Sequence, residues 1–214
     1  MLKLIAFDYD GTLADSVTLC LENFDRVFAK YLGGKAPPRE DVFQYFGRNE
    51  PGVLSIYLGD RAPEAMADFC RINRELHRKY CPAPIPGCRE LLTELKKRGL
   101  ILCMITGRSE ETCRIALEEL GLSGFFEHCQ YGAPEKNDKA AQLRHLLDVY
   151  SLKPDEIAYV GDAVSDAQAS REAGVRCFSA AWASTAQVEA LERINPGMLF
   201  FSPESLLNRI LELI

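Results

Sequence analysis

Short apolar runs alternate with longer amphipathic segments along most of the chain. The runs LKLIAF, LILCMI and EIAYV end abruptly in polar residues, which is typical of buried strands, and EHCQY, VRCF and MLFF are weaker candidates of the same kind. Between them, segments such as RELLTELKKRG and NDKAAQLRHLL carry apolar residues at helical spacing. This alternation predicts an α/β fold, with a doubly wound, Rossmann-like, mostly parallel sheet and helices on both faces.

One part of the chain breaks the alternation. Between residues 16 and 82 the apolar residues recur only at helical spacing, as they do over 17–31, and no strand pattern appears. The stretch CPAPIPG follows at 81–87, and its three prolines disfavour helix. We therefore predict an α/β core domain made of residues 1–15 and 83–214, with an all-helical domain, 16–82, inserted after the first strand.

The charge and hydropathy of the chain exclude several classes of partner. The 214 residues carry a formal net charge of −6, which does not favour nucleic acid or an anionic membrane surface. No apolar run reaches the roughly 20 residues of a membrane span, and the start MLKLIAFDYDG is too short for the core of a signal peptide. We expect a cytoplasmic monomer or homodimer that binds neither nucleic acid nor membrane.

Cysteine and histidine spacing does not indicate a zinc site. The eight cysteines are scattered without a CxxC pair, so we expect reduced and mostly buried thiols. His77, His128 and His145 are isolated from one another in the sequence, and we expect them at the surface or its boundary.

The candidate chemistry collects where three apolar runs end. Asp8 and Asp10 follow LKLIAF, Thr106 follows LILCMI, and Asp162 follows EIAYV, with Asp166 four residues further on. In doubly wound sheets, ligands bind outside the carboxyl ends of the strands. If these strands are neighbours, their polar residues converge on one pocket.

A carboxylate cluster without histidines indicates a hard cation, and Mg²⁺ would relieve the repulsion between the acids. The spacing excludes an EF-hand, because Leu13 and Leu19 stand where that loop needs Gly and Glu. With a phosphate present, one carboxylate can attack phosphorus while a second, two residues on, moves protons.

Phosphate binding needs further groups. Gly11 would allow close backbone approach, Thr106 offers a hydroxyl and Gly107 an unhindered N–H. A lysine is also required, and Lys136 and Lys139 both lie just before a predicted helix. Each motif alone is weak, but their common position after apolar strands favours a functional set.

At this point the residues resemble a known family. DYDGTLADS, ITGRS, a lysine ahead of a helix and VGDAVSD resemble the four motifs of the haloacid dehalogenase (HAD) superfamily, and the resemblance extends over nearly the whole chain, including PGCRELLTELKKRG and the AW dipeptide at 181–182. It is strongest to phosphoglycolate-phosphatase-like hydrolases that carry a helical, C1-type cap after the first strand. The stretch 16–82 matches that cap in place, size and helical character.

The resemblance implies a role for each motif residue. Asp8 would be the nucleophile and Asp10 the general acid/base. Asp8, the Asp10 carbonyl and Asp162 would hold Mg²⁺ with support from Asp166, and Thr106 would bind phosphate.

Two positions depart from the common family pattern. Lys139 lies 23 residues before Asp162 and Lys136 lies 26 before it, so spacing does not choose between them. We prefer Lys139, because NDKAAQLRHLL resembles the variant whose lysine opens the helix. ITGR also differs from the frequent form, so Arg108 is either a cation on the phosphate side or a solvent-facing residue.

The second aspartate separates the subclasses. Haloacid dehalogenases and phosphonoacetaldehyde hydrolases resemble this chain in fold but lack an equivalent of Asp10, so both are disfavoured. A non-enzymatic member is disfavoured because all motif residues are present. We predict a Mg²⁺-dependent phosphatase that hydrolyses a small phosphate monoester, such as phosphoglycolate, through an aspartyl-phosphate. A β-phosphoglucomutase-like phosphomutase stays open as the alternative.

Selection among substrates would come from the cap. FGRNEPG, at 46–52, is the candidate specificity loop, in which Arg48 either meets a substrate carboxylate or second phosphate or is an ordinary surface arginine. Asp15 is expected at the hinge, where it could cap the first helix of the cap.

Overall fold

A single parallel sheet of six strands forms the centre of the molecule. The computed structural model describes residues 1–214. The strand order is β3-β2-β1-β4-β5-β6, and every neighbouring pair is parallel. The strands are β1 Leu4–Phe7, β2 Ile101–Ile105, β3 His128–Gln130, β4 Ile157–Gly161, β5 Arg176–Ala180 and β6 Leu199–Phe200. The predicted α/β fold with a parallel sheet is confirmed, and all six apolar runs contain a strand.

Helices cover both faces of this sheet. Four helices, α1 to α4, precede residue 82. The helices beyond it are α5 Cys88–Lys97, α6 Glu110–Glu119, α7 Lys139–Tyr150, α8 Val164–Ala173, α9 Val188–Ile194 and α10 Pro203–Leu211. On β1, Ile5 and Phe7 belong to a large buried cluster shared with α5, α6 and α10. Leu4 and Ala6 belong to a smaller cluster shared with α7. The period of two along the strand therefore divides the core into two layers.

Residues 17–80 contain helices and no strand. The four α-helices are α1 Val17–Tyr31, α2 Arg39–Phe43, α3 Glu50–Leu58 and α4 Ala62–Tyr80, with a 3₁₀ turn at Gly59–Arg61. Aromatic contacts join them, such as Phe24 with Phe69 and Phe28 with Tyr57, each at 4.7 Å between ring centroids. We call residues 16–82 the helical segment. Its division from the core as a separate domain stays a prediction.

Of the two helix caps predicted from local sequence, one is confirmed and one is wrong. Asp138 Oδ1 accepts a hydrogen bond from Ala141 N at 2.9 Å, and so caps α7 as predicted. The prediction that Asp15 caps α1 is wrong: Ser16 is the N-cap residue, and Asp15 instead accepts a hydrogen bond from Ser184 Oγ at 3.1 Å.

All eight cysteines are free thiols, and most are buried, as predicted. No helix is both long enough and apolar enough to cross a membrane.

Candidate active site

The register of the sheet brings the motif residues together. Phe7, the last residue of β1, lies between Met104 of β2 and Val160 of β4. The residues that follow these three strands therefore leave the sheet at the same edge. One carboxylate oxygen each of Asp8, Asp162 and Asp166 lies within 4.8 Å of the others. We call these three residues the acidic cluster.

Lys139 is the cation at this cluster. It is the first residue of α7, and its Nζ lies 2.7 Å from Asp8 Oδ2 and 2.6 Å from Asp166 Oδ1. Lys136 is exposed to solvent and forms no ion pair. The capped start of α7 therefore directs Lys139, and not Lys136, at the acidic cluster.

One lysine does not balance three carboxyl groups. Burial, opposed by Lys139 and aided by Asp166, raises the pKa of Asp8 to about 7. Burial and the charges of Asp8 and Asp166 raise the pKa of Asp162 to about 8. The acidic cluster thus has a deficit of positive charge, and its all-oxygen donor set suits a hard divalent cation such as Mg²⁺.

Asp166 supports the cluster rather than facing freely into it. Its Oδ1 holds Lys139, and its Oδ2 accepts a hydrogen bond from Ala163 N at 3.0 Å. Both of its oxygens are therefore engaged, and its side chain is fully buried.

Asp8 is engaged at both oxygens as well, by Lys139 and by the N–H of Tyr9 at 2.8 Å. Asp162 is the freest member, with one long contact of 3.5 Å from Thr12 Oγ1.

The Asp10 carboxylate bonds to Arg108 and Ser16 and to no member of the acidic cluster. Its two oxygens lie 2.9 Å from Arg108 Nε and 2.6 Å from Arg108 Nη2, and Ser16 Oγ donates a hydrogen bond to it at 2.5 Å. Burial disfavours the ionised form, but Arg108 and Ser16 outweigh burial and hold the pKa of Asp10 below its usual range.

Arg108 does not face solvent, whereas its contact with phosphate stays a prediction. It is only 3% exposed, so the solvent-facing alternative is wrong. Its guanidinium pairs with Asp10 and lies over the ring of Tyr9, with 4.8 Å from Cζ to the ring centroid. Its Nη1 atom is buried without a hydrogen-bond partner, so the two N–H groups of that nitrogen are unpaired.

A hydrogen bond from the backbone to the Thr106 side chain stabilises the loop after β2. Thr106 is fully buried, and its Oγ1 accepts a hydrogen bond from Arg108 N at 3.2 Å. Gly107 lies between them, and a Cβ at this position would meet no atom closer than 4.0 Å. We call residues 106–108 the Thr106 loop.

Gly11 is required by close packing against the acidic cluster. Its φ is +73°, and a Cβ there would lie 2.0 Å from Asp162 Oδ2. A larger residue at this position would displace the Asp162 carboxylate.

Arg48 lies in the candidate specificity loop but bonds to the protein itself. Its Nη1 donates a hydrogen bond to the carbonyl of Pro134 at 3.0 Å, and the residue is half-buried. Its predicted contact with substrate stays a prediction.

Two buried polar residues of the helical segment were missed by sequence reasoning. Glu50 is 4% exposed and bonds to the start of α6, as described below. His77 is fully buried, so its predicted surface position is wrong: its Nε2 lies 3.2 Å from Tyr9 Oη, and its Nδ1 lies 2.9 Å from the Asn73 carbonyl. The helical spacing of His77 from Phe69 and Asn73 was a signal of burial, whereas nothing local marked Glu50.

Comparisons with known proteins agree with this geometry. The family model described as haloacid dehalogenase-like hydrolase matches residues 5–180. A phosphoglycolate phosphatase of Pseudomonas syringae pv. tomato is 30% identical, over 96% of this chain and 83% of that protein. A phosphoglycolate phosphatase of Chromobacterium violaceum is 32% identical, over 81% of this chain and 82% of that protein. CbbY from Rhodobacter sphaeroides, solved in complex with phosphate, has the same fold, with a TM-score of 0.77, 20% identity and 96% of each chain covered.

Proposed function

Because the chain belongs to the haloacid dehalogenase-like hydrolase family, we propose that it is a phosphatase that hydrolyses a small phosphate monoester with Mg²⁺, through an aspartyl-phosphate formed on Asp8. The observation that carries this proposal is the position of Asp8. It directly follows β1, its Oδ2 lies 2.7 Å from Lys139 Nζ, and it lies beside Asp162 and Asp166. A carboxylate so placed is available as a nucleophile and is flanked by groups that suit a phosphoryl group.

In the first step an oxygen of Asp8 attacks phosphorus and the bond to the ester oxygen breaks. The leaving oxygen takes a proton and departs as an alcohol. In the second step a water attacks phosphorus, gives up a proton, and frees the Asp8 carboxylate and inorganic phosphate. We assign both proton transfers to Asp10. Its ionised form, held by Arg108 and Ser16, accepts the proton from water in the second step. To protonate the leaving oxygen in the first step, Asp10 must leave this pair and take up a proton beforehand.

Residues of the chain would hold both the cation and the phosphoryl group. Asp8 and Asp162 would ligate Mg²⁺, with Asp166 acting through Lys139; when bound, the ion supplies positive charge to the phosphoryl oxygens. Lys139, the hydroxyl of Thr106 and the N–H of Gly107 would bind the phosphoryl oxygens, with Gly11 allowing close approach. Arg108 and Arg48 are further candidate contacts to an anionic substrate.

The names of relatives support a proposal for the substrate class. The two sequence relatives described above carry the name phosphoglycolate phosphatase, so we propose phosphoglycolate or a similarly small phosphate ester. The helical segment would act as a cap that closes over the acidic cluster and excludes bulk water. Pyrophosphate, nucleotides and sugar phosphates are the competing substrates.

A phosphate-release screen over a broad panel of phosphorylated metabolites, with and without Mg²⁺, tests this function. We expect Mg²⁺-dependent release from phosphoglycolate or a close analogue, and no turnover by the Asp8→Asn variant with its fold retained. Asp15→Asn is the matched control, because Asp15 lies in the same motif but bonds to Ser184. Full activity of Asp8→Asn would contradict the mechanism. Conversion of a hexose 1-phosphate into the 6-phosphate would support the phosphomutase instead.

A further inference from the structure

The start of α6 has a backbone N–H that no side chain of the helix itself accepts. Ser109 is the N-cap residue, and its side chain accepts a hydrogen bond from Thr112 N at 3.5 Å. In a capping box, a Glu or Gln at the third helical position accepts a hydrogen bond in return from the N–H of the N-cap residue. Here the third position is Thr112, which has no carboxyl or amide group. The N–H of Ser109 therefore needs an acceptor from elsewhere in the chain.

Glu50 of the helical segment supplies that acceptor. Its Oε2 accepts a hydrogen bond from Ser109 N at 2.7 Å, and its Oε1 accepts one from Thr112 Oγ1 at 2.6 Å. Glu50 is 4% exposed and forms no salt bridge, so its partners are this N–H, this hydroxyl and the positive end of the helix. Burial of a carboxyl group costs free energy without such partners, so Glu50 depends on its hydrogen bonds to α6.

The contact acts on the loop that we propose binds phosphate. Ser109 directly follows Arg108, whose N–H bonds to Thr106 Oγ1 and whose guanidinium pairs with Asp10. Fixing the N–H of Ser109 therefore fixes the end of the Thr106 loop.

The same stretch of the helical segment also contacts the loop that leads to Lys139. Asn49 N donates a hydrogen bond to the Ala133 carbonyl at 3.0 Å, and Asn49 Nδ2 donates one to the Gly132 carbonyl at 2.8 Å. Asn137 N donates one to the Gly47 carbonyl at 2.6 Å. Residues 47–50 thus touch both core loops that carry proposed phosphate ligands.

We propose that Glu50 is a positioning residue, which completes the N-terminal cap of α6 from the helical segment and holds the Thr106 loop in its binding geometry while that segment is closed on the core. The catalytic consequence rests on the proposed phosphatase function, whereas the contact itself does not. If the helical segment moves away, water satisfies both Glu50 and the N–H of Ser109, so separation is reversible. Closure over a substrate then restores the loop at the moment it is needed.

Three variants isolate this role. Glu50→Ala removes the acceptor. Glu111→Ala is the matched control, because it removes an exposed acidic residue from the same helix start without touching Ser109 N. Glu50→Ala/Thr112→Glu moves the carboxylate into the standard capping-box position, in the volume that Glu50 leaves.

Steady-state kinetics with p-nitrophenyl phosphate and Mg²⁺ measure the catalytic effect. We expect Glu50→Ala to lower kcat about tenfold with a smaller change in KM, since a lost cap is worth about that factor and the loop acts in the transition state. The double variant should recover most of the loss, and Glu111→Ala should stay within about twofold of the wild type. A merely structural role would lower the melting temperature without changing kcat of the folded enzyme. If Glu50→Ala does not fold, Glu50→Gln carries the test: it keeps an acceptor for Ser109 N, and a smaller loss of about threefold is expected.

Amide hydrogen exchange over residues 107–113 gives a readout that needs no activity. We expect Glu50→Ala to lose protection at the Ser109 amide and the double variant to regain it. Wild-type protection and wild-type kcat in Glu50→Ala would overturn the proposal. So would a kcat that stays low in the double variant although protection has returned. If the wild type itself releases no phosphate from any compound, the proposed function fails, and the exchange data alone decide whether Glu50 caps α6.

Discussion

Arg108 and Asp10 form a two-pronged ion pair that joins the loop after β2 to the loop after β1, with 2.9 Å from Nε to Oδ2 and 2.6 Å from Nη2 to Oδ1. The planar guanidinium matches the carboxylate at both oxygens, which lysine could not do. Arg108 is almost fully buried, so the pair is shielded from solvent on the arginine side. It ties the proposed general acid/base to the proposed phosphate loop.

Removal of Arg108 should therefore destabilise the fold. Arg108→Met leaves the Asp10 carboxylate with only the Ser16 hydroxyl, and we expect a loss of about 2–4 kcal/mol in the free energy of unfolding, measured with urea at pH 7. Arg114→Met is the control, because Arg114 is exposed and pairs with Glu118 one turn away, a contact worth about 0.5 kcal/mol. Equal losses in the two variants would show that the buried pair has no special weight.

Replacement of the two candidate lysines should have very different effects on turnover. Lys139→Met removes the cation that contacts Asp8 and Asp166, so phosphate release should fall at least about 100-fold. Lys136→Met changes an exposed side chain and should leave both turnover and stability unchanged. The measurement is kcat/KM for each variant with the best substrate of the screen. A larger loss in Lys136→Met than in Lys139→Met would transfer the phosphate-binding role to Lys136.

A methyl group at Gly11 should weaken metal binding through Asp162. In Gly11→Ala the new Cβ would lie 2.0 Å from Asp162 Oδ2, so the carboxylate must move, and the Mg²⁺ concentration for half-maximal activity should rise at least about tenfold. Gly33→Ala carries the same kind of backbone strain, since its φ is +76° and no atom lies within 4 Å of the added group. It should lower stability by about 1 kcal/mol with no change in the Mg²⁺ requirement. If both variants needed the same Mg²⁺ concentration for half-maximal activity, the contact of the new Cβ with Asp162 would be excluded as the cause.

His77 should make stability depend on pH. Burial and the nearby Arg108 lower the pKa of His77 from 6.5 to about 4. Between these two values the unfolded chain binds the proton and the folded protein does not, so the contribution of His77 to stability is full above pH 6.5, falls as the pH drops, and is lost below about pH 4.

The size of this effect is at most about 3 kcal/mol, since each pKa unit is worth about 1.4 kcal/mol. The difference in unfolding free energy between the wild type and His77→Gln should therefore shrink as the pH falls from 6.5 to 4, measured by urea titration at each pH. Taking this difference cancels the opposite pH dependence of Asp8 and Asp162, whose pKa values are raised. For His145→Gln, at an exposed position, the same difference should not change with pH. A difference for His77→Gln that is constant with pH would contradict the prediction.

Local pattern was a reliable guide to elements and their starts. LKLIAF contains β1, LILCMI contains β2, and Asp138 caps the helix it precedes. The failures were at residues whose partners lie far away in sequence. Asp15 stood at the right place for a cap but bonds to Ser184, and His77 was isolated in sequence but meets Tyr9. Spacing along the chain carries no information about such partners.

The α/β class, the family and the acids and glycines of the motif loops could be predicted before folding was considered, because strand period, helix period and motif spacing are local properties. Three contacts could be found only in the folded chain: Lys139 rather than Lys136 reaches Asp8, Arg108 pairs with Asp10, and Glu50 completes the start of α6. Each of these choices depends on where two distant segments meet. A buried charge must find a partner in the folded chain, and which partner is in reach is set by packing rather than by order along the sequence.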